Sequence, residues 1–372
     1  MTWDHGFAGA GIAACLLARR VVRDGLGSVL LVDRPGRDPR TLAFWTDGPT
    51  PLDDAIVHRW SALRVVGAGV DRTVALGDST YGIVRADTLR ARARAEVVAA
   101  GGRVVDGEVT AVVDGPEGAA IEVDGARYPA RWVYDARREL PPPSAGRLLQ
   151  SFVGWWVETD DDRFDPTVAT LMDFRAAQEP GGVRFFHVLP TSARRALVTG
   201  VNFAPDPRPV AVDQYLEALG VPRWRVTGEE RGVTPMDARR IERRAGPHTL
   251  RIGVAGGLLK PSTGYALTRM LADADRVADH LRTAGDPFAP STPRAWSWRA
   301  LDAVLLRLVA RRGPDAAEVF VALFTRNPID RVLRFLDERA TVGELVRLVL
   351  GLPHWGWFAR AAFAALWTGR AQ

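Results

Sequence analysis

Two glycines, an alanine and an aspartate near the N-terminus have the types and spacing of a dinucleotide-binding turn. The segment Gly9-Ala-Gly11-Ile-Ala-Ala14 is a G-x-G-x-x-A pattern, and Asp33 follows it. The first glycine permits a tight turn, the second lets the backbone approach a pyrophosphate, and the alanine allows a helix to pack closely on a strand. An acid at the end of the second strand can accept a hydrogen bond from a ribose hydroxyl. These residues predict dinucleotide binding, and the alternative is an ordinary glycine turn in an α/β domain.

The elements that must position this turn are a strand, a helix and a second strand. The pattern of residues predicts a short first strand over 5–8 and an apolar helix over 12–22. A second strand is predicted over 28–32, and Asp33 follows at its end. Further along, a helix is predicted over 86–100, where Gly101-Gly102 stops it. Three more strands, one of which ends at Asp135, are predicted over 104–113, 119–123 and 131–135.

The middle of the chain is richer in aromatic residues, and its pattern predicts a second domain. Aromatic-rich strands over 151–157, 183–189 and 195–202 favour an antiparallel sheet. The α/β pattern then returns with a strand over 250–254, a turn at Ala255-Gly256-Gly257 and a helix over 264–283. The nucleotide domain is therefore predicted to be discontinuous. Residues 1–150 and 246–290 are predicted to form the two parts of the nucleotide domain. Residues 151–245 are predicted to form the sheet domain, and residues 291–372 a helical C-terminal region.

Composition excludes several classes of function. The chain has 372 residues, one cysteine (Cys15) and a net charge of +5, and arginine supplies almost all of its basic residues. One cysteine cannot form a disulfide within the chain, which is typical of a reducing cytoplasm. The six histidines lack ligand spacing, so we predict no metal site. Basic residues are dispersed without a nucleic-acid-binding motif, so we predict no nucleic-acid partner.

The N-terminus and the C-terminal region bear on localisation. No apolar run of membrane-spanning length and no signal peptide is apparent, so the sequence predicts a cytoplasmic protein. Aromatic residues crowd the last stretch, which suits either an interfacial helix on the inner membrane face or helix-on-helix packing, and both remain open. These aromatic residues are Trp355, Trp357, Phe358, Phe363 and Trp367.

Motifs along the whole chain together resemble the FAD-dependent bacterial lycopene cyclases. After the glycine turn comes Arg40-Thr-Leu-Ala-Phe44-Trp45, which is similar to an arginine-threonine-tryptophan segment of that family. The longest matches are Phe164-Asp165-Pro166 with Ala169-Thr-Leu-Met-Asp173-Phe174-Arg175, and the stretch from Gly253 to Tyr265. The resemblance implies a glutathione-reductase-type FAD-binding domain, a second antiparallel-sheet domain for substrate and a C-terminal helical segment.

The resemblance also implies an unusual reaction. Family members bind FAD and use its reduced form, for which NAD(P)H is a candidate external reductant. The net reaction is nevertheless a redox-neutral isomerisation. An acid protonates a terminal alkene of a hydrophobic isoprenoid, a neighbouring double bond closes a six-membered ring, and a proton is lost. Reduced flavin is thought to stabilise the cation, as a preorganised negative charge in a dry cavity does. The residues expected at the cofactor are Gly9, Gly11, Ala14, Asp33, Arg40, Asp135, Gly256, Gly257, Lys260, Ser262, Thr263 and Gly264.

Lys260 stands out because it is the only lysine in the chain. It lies after a Gly-Gly turn, close to the predicted start of a helix whose N-terminus would favour negative charge on the flavin. A lysine in an arginine-rich chain suggests a role that needs a compact ammonium. Chance survival of this lysine is the alternative.

Three acids are candidates for proton transfer. Asp173 lies between Met172 and Phe174, and an apolar environment raises the pKa of a carboxyl group. Its alternative role is a structural salt bridge with Arg175. Glu229 and Glu230 are the other two catalytic candidates, and Asp237 is a further alternative.

One position departs from the family pattern. Lycopene cyclases usually carry a glutamate after an Ala-Leu-Val strand, and here Thr199 follows Ala196-Leu-Val198. Threonine has no acidic proton that could reach an alkene, so the proton donor is left open. Gly200 removes bulk beside it. The residues expected to line the substrate pocket are Phe152, Trp155, Phe174, Thr199, Gly200, Pro235 and Met236.

Three functions remain in competition. The first is an FAD-dependent isoprenoid cyclase that acts on a carotenoid or on a smaller prenylated compound. The second is a flavin monooxygenase or desaturase that reuses the scaffold, which the missing glutamate favours. The third is an isoprenoid-binding flavoprotein without turnover. The sequence does not indicate an oligomeric state.

Overall fold

The computed structural model describes residues 2–34, 40–67, 69–137, 148–206, 208–236, 241–290, 296–358 and 360. Within these ranges the chain forms seventeen strands in three sheets and eight α-helices, which we number β1 to β17 and α1 to α8 in chain order. In this part of the chain, no helix combines the length and the apolar character that crossing a bilayer requires.

The first sheet carries the dinucleotide turn. Its strands are β1 (Trp3–Ala8), β2 (Val29–Asp33), β8 (Arg103–Asp106), β9 (Val109–Asp114), β10 (Ala119–Val123), β11 (Ala126–Asp135) and β17 (Thr249–Arg251). Strands β8, β2, β1, β11 and β17 are parallel neighbours in that order. The hairpin of β9 and β10 pairs antiparallel with the first half of β11. At β17 the chain returns to this sheet and pairs in parallel with β11.

Three helices pack on this sheet around a common core. They are α1 (Ile12–Arg23), α2 (Ala86–Ala99) and α4 (Leu267–Ala284). The first two match the predicted spans closely, but α4 begins three residues later than predicted. The reason is a turn in which the Lys260 amide donates to the Tyr265 carbonyl and the Gly264 amide to the Lys260 carbonyl. Gly264 has a φ of +76°, which an α-helix cannot include.

The second sheet is largely antiparallel, and its strand order is β16, β12, β15, β14, β13, β5, β6. These strands are β5 (Ala62–Gly67), β6 (Val70–Ala75), β12 (Leu148–Glu158), β13 (Val168–Asp173), β14 (Val183–Ser192), β15 (Arg195–Ala204) and β16 (Arg225–Met236). The structure thus adds residues 62–75, which lie inside the predicted 1–150 unit, to the sheet predicted for 151–245. It does so because β5 pairs in parallel with β13, so that Ala62 lies beside Val168.

A third, three-stranded sheet and the remaining helices complete the fold. The sheet contains β3 (Thr41–Thr46), β4 (Ile56–Trp60) and β7 (Thr80–Arg85). The remaining helices are α3 (Val212–Ala218), α5 (Trp296–Arg312), α6 (Ala316–Thr325), α7 (Ile329–Leu336) and α8 (Val342–Leu350). Helices α6 and α7 share a buried apolar cluster with the second sheet, so this part of the predicted helical region packs as core.

The C-terminal aromatic residues divide between core and surface. Trp357 and Phe358 pack against the buried cluster, whereas Trp355 is 47% exposed. Phe363 and Trp367 lie outside the described residues. On α8, an exposed apolar face is formed by Val342, Val346 and Leu350.

The two faces of the second sheet pack against different partners. Along β15, Leu197 and Val201 belong to the cluster shared with α6 and α7. Val198, one residue out of phase, packs with Val210 and Leu216 of the α3 region. Alternation along a strand therefore decides which residues of this sheet face the domain interior.

Gly200 tests this assignment of faces. A Cβ built at Gly200 lies 2.8 Å from the Val210 Cβ and 3.0 Å from the Val210 carbonyl oxygen. We therefore expect Gly200→Ala to lower the free energy of unfolding by about 1–3 kcal/mol through overpacking. Urea denaturation measures this change. The matched control is Gly343→Ala, because Gly343 lies on α8 with open space around it and alanine raises helix propensity there. Equal stability of Gly200→Ala and the parent would contradict the assignment.

Candidate active site

One cavity of about 360 Å³ extends from the dinucleotide turn into the second sheet. That volume is in the range of small-molecule sites. Its walls come from α1, the loop before α4, the inward faces of β12, β14 and β15, and the C-terminal helices. Eight aromatic side chains line it: Tyr81, Phe152, Phe185, Phe203, Tyr265, Phe320, Phe324 and Phe335. The arrangement brings a nucleotide-type turn and an apolar chamber together.

The N-terminus of α1 opens one end of the cavity. Gly11, Ile12 and Ala13 line it, and no side chain caps the helix. Gly9 has a φ of +100° with open space where a Cβ would be, as the predicted tight turn requires. Ala14 is fully buried beneath the turn in the helix-sheet core. The uncapped amides at this end form a site suited to an anion.

Two arginines line the same cavity. Arg40 was predicted from the sequence, but Arg90 of α2 was not. The Arg90 Nε lies 3.4 Å from the Ala10 carbonyl oxygen and 3.7 Å from the Asp33 carboxylate. Its contact with the turn could not be read from local spacing, because 80 residues separate Arg90 from Ala10.

The two acids predicted at the strand ends, Asp33 and Asp135, are buried and half-buried, and each accepts hydrogen bonds from an arginine side chain. Asp33 is buried at the end of β2 and accepts a hydrogen bond of 3.1 Å from Arg94. Asp135 at the end of β11 accepts bonds of 3.0 and 2.9 Å from the Arg137 guanidinium. Neither carboxylate lies among the cavity-lining residues, although Asp33 stands next to Arg90.

The segment before α4 supplies the opposite wall. Ser262, Thr263 and Gly264 line the cavity, and their contact with the cofactor stays a prediction. Gly256 and Gly257 lie in a turn behind them, where the Gly256 amide donates to the Ile252 carbonyl, and they do not line it. A Cβ on Gly264 would lie 1.9 Å from the Gln150 Oε1 atom. That oxygen is buried and has no hydrogen-bond partner among the described atoms.

Lys260 points away from the cavity. Its ammonium is buried, and Nζ lies 3.3 Å from the Asp302 Oδ1 and 3.0 Å from the Glu338 Oε1. The same nitrogen sits 5.7 Å from the ring centroid of Trp298 and 5.8 Å from that of Phe335. The structure therefore places this lysine behind the predicted cofactor loop, where it joins the loop to α5 and to the turn after α7.

The structure separates the three candidate acids. Asp173 lies outside the cavity in a bidentate pair with Arg175, and the Tyr215 hydroxyl donates to it at 2.8 Å. Glu229 is on the surface, paired with Arg231. Only Glu230 lines the cavity. The structural alternative weighed for Asp173 is thus the arrangement found, and burial together with this carboxylate raises the pKa of the Tyr215 hydroxyl. Asp237 lies outside the described residues.

Glu230 is held as a hydrogen-bond acceptor. The Thr41 amide and hydroxyl donate to its two oxygens at 2.7 and 2.5 Å. The Trp156 indole donates at 2.9 Å. Three donors therefore converge on the two oxygens of one buried side chain. Glu230 thus presents a carboxyl group whose oxygens are already occupied as acceptors at the cavity wall.

The predicted pocket residues also divide by strand face. Phe152 and Thr199 line the cavity. Trp155 and Gly200 fall on the opposite face, towards the α3 cluster, because each is one residue out of phase. Phe174 is buried behind the wall against Phe185 and Phe320. Neither Pro235 nor Met236 reaches the lining, where Thr234 stands instead.

Sequence reasoning missed His187 and its two tyrosine neighbours. His187 lines the cavity from β14, directly across the strand pair from Thr199. The Tyr81 hydroxyl lies 3.3 Å from the His187 Nε2 atom, and Tyr81 is hydrogen-bonded to Tyr265. Burial lowers the pKa of His187 to about 4 and raises that of Tyr265 to about 12. Alternation along the predicted strand over 183–189 could have placed His187 on the same face as Phe185 and Leu189.

The chain is similar to known proteins in sequence and in fold. The sequence family described as lycopene cyclase protein matches residues 4–362. A lycopene beta-cyclase of Paracoccus sp. (strain N81106 / MBIC 01143) is 29% identical, with 95% of each chain covered. A geranylgeranyl bacteriochlorophyll reductase-like protein from Thermoplasma acidophilum superposes with a TM-score of 0.63 at 15% identity, covering 98% of this chain and 99% of that one.

A second solved structure is informative about the fold. The flavin-dependent monooxygenase PieE, solved in complex with FAD and substrate, superposes with a TM-score of 0.61 at 17% identity. The superposition covers 98% of this chain and 72% of that one. The predicted fold class, a glutathione-reductase-type domain with an antiparallel-sheet domain and C-terminal helices, is confirmed.

The depressed pKa of His187 predicts a pH-dependent stability. The unfolded chain binds a proton near pH 6.5 and the folded chain only near pH 4, so stability is lost as pH falls between these values. We expect the free energy of unfolding to drop by about 2 kcal/mol more in the parent than in His187→Gln between pH 7.5 and 5. Urea denaturation at both pH values measures this. The pKa of His5 is also lowered by burial, but His5 is present in both proteins and its effect cancels. Equal pH dependence would contradict the burial argument.

Proposed function

The chain belongs to the lycopene cyclase protein family, and from that premise we propose that it binds FAD and cyclises a hydrophobic isoprenoid without net oxidation or reduction. The observation that carries the proposal is a cavity, lined by described residues, that joins the uncapped N-terminus of α1 to an aromatic chamber. The proposed reaction would bring a nucleotide cofactor and the apolar end of a polyene together in this one dry space. The proposed substrate is a carotenoid or a smaller prenylated compound.

The residues present fit FAD. The uncapped N-terminus of α1 at Gly11 and the guanidinium of Arg90 offer donors to a pyrophosphate. Arg40 and Ser262 add polar groups on the cavity wall. The buried Gln150 Oε1 has no donor among the described atoms, and such an orphaned acceptor suits a ligand that carries N–H groups. Asp33 would act by fixing Arg90 and Arg94 at this end.

Bound FAD in its reduced state would supply negative charge that stabilises a cation in the cavity. The chain's own side chains contribute to the same end. Aromatic faces attract a positive charge, and eight aromatic rings line the cavity. Glu230 adds a carboxylate held by Thr41 and Trp156. Aliphatic side chains of β15 and α6 exclude water, which would otherwise trap the cation as an alcohol.

Cofactor retention can be tested without turnover. Gly264→Ala would drive a Cβ into the Gln150 side chain, so we expect FAD content per polypeptide to fall at least about tenfold, equivalent to ~1.4 kcal/mol of binding. The matched control is Gly257→Ala. Gly257 has the same φ of +76° and carries the same backbone strain, but its nearest neighbour is at an ordinary 3.4 Å and it does not line the cavity. Flavin absorbance after gel filtration is the readout. An equal loss in both variants would assign the effect to strain.

The reaction itself has a mass signature. Anaerobic incubation of the purified chain with chemically reduced FAD and either lycopene or shorter prenyl chains should give a cyclised product of unchanged mass. Mass spectrometry with chromatography separates the alternatives, since a monooxygenase adds oxygen and a desaturase removes hydrogen. Omitting the cofactor is the control. Recovery of unreacted polyene from every substrate would overturn the proposed cyclisation.

A further inference from the structure

We infer that His187 gives the initiating proton to the substrate alkene and takes a proton back from the closed ring, an inference that rests on the function proposed above. The observations that carry it are the position of His187 in the cavity wall and the chemistry of the other ionisable groups that line the same cavity.

The proposed reaction needs one group that changes protonation twice. A proton from the imidazolium forms a C–H bond with the terminal alkene carbon and leaves a tertiary cation. Two π-electrons of the next double bond form the ring C–C bond. A ring C–H bond then breaks, its electron pair becomes the ring double bond, and its proton returns to the imidazole. Atoms and electrons balance without a co-reactant.

The other ionisable groups on the described lining do not suit this role. They are Arg40, Arg90, Glu230, Tyr81 and Tyr265. Guanidinium groups stay protonated and cannot serve as acids or bases here. The carboxylate oxygens of Glu230 already accept three hydrogen bonds. Burial holds the pKa of Tyr81 well above its usual value and that of Tyr265 at about 12, so neither phenol is a ready proton donor.

The position of His187 is suited to transfer. It stands between Phe185 and Leu189 on the inward face of β14, and these two side chains also line the cavity. Its Nε2 atom is fixed by the Tyr81 hydroxyl of β7. Tyr81 and, behind it, Tyr265 are the titratable groups that face it from neighbouring elements. Thr199 on β15 adds no charge.

Burial makes the imidazolium a strong donor. A group with a pKa near 4 is as acidic as a carboxylic acid, and in its neutral form it can accept a proton from a carbocation. Because the protonated form starts the reaction, turnover should rise by about tenfold per unit as pH falls from 8 towards 6.

The test compares His187→Gln with Glu230→Gln and with His58→Gln, using reduced FAD and lycopene as the probe. Glutamine can still bond Tyr81 but cannot shuttle a proton. We expect His187→Gln to retain FAD and KM, to lose about 100-fold or more in kcat and to lose the pH slope. His58 lies outside the cavity, and its Nε2 is 2.8 Å from the Pro166 carbonyl oxygen, so His58→Gln should keep the parent turnover.

Chemical rescue separates transfer from packing. Imidazole added to His187→Ala should restore part of the lost turnover, whereas thiazole, which has a similar shape and much lower basicity, should not. Equal rescue by both, or parent-like turnover in His187→Gln, would overturn the role of His187 and leave the cyclase proposal standing. If Glu230→Gln loses turnover while His187→Gln keeps the pH dependence of the parent, proton transfer to and from the substrate would be assigned to Glu230 and not to His187. Absence of any cyclised product from the parent would overturn both proposals.

Discussion

A buried ammonium between two carboxylates holds the two halves of the cavity together. Lys260 follows a turn of the nucleotide domain, whereas Asp302 and Glu338 belong to the C-terminal helical region. In a low-dielectric environment an unpaired charge is costly, so the three groups favour one relative placement of loop and helices. The loop residues that line the cavity are therefore held in place by three groups that do not line it themselves. An arginine fork would be a poor replacement, because its planar geometry differs from that of a compact ammonium.

The same low dielectric shapes the chemistry inside the cavity. Burial disfavours the charged form of His187, and it also discourages ionisation of Tyr81. The two oxygens of Glu230 accept three hydrogen bonds in the same cavity wall. The apolar chamber thus contains a carboxyl group with occupied oxygens and an imidazole whose neutral form burial favours. That combination suits a reaction whose intermediate is positive and whose start and end are neutral.

The nucleotide domain could be predicted because its motifs are short and contiguous in sequence. The rest of the fold depends on pairing between segments that are far apart in the chain, which limited its prediction. The glycine turn, α1 and Asp33 follow from spacing within about thirty residues, and they fold as predicted. The joining of β5 to β13 depends on segments about a hundred residues apart, which no local pattern reports. The prediction that Trp155 and Gly200 line the pocket was wrong, because both lie on the face of the sheet towards α3. The sequence shows that side chains alternate along a strand, but it does not show which of the two faces points into the cavity. The role of Lys260 depended on partners 42 and 78 residues away.

One wall of the cavity is a contiguous stretch of sequence. Leu305, Phe320, Leu323 and Phe335 all come from α5, α6 and α7, while the opposite walls are assembled from dispersed strands. Exchange of this stretch between relatives would change the shape of the chamber in a single genetic step and leave the nucleotide turn intact. Such an exchange has one condition. The incoming helices must bring an acid equivalent to Asp302, and the turn after α7 must keep Glu338, or Lys260 is left buried without its carboxylate partners.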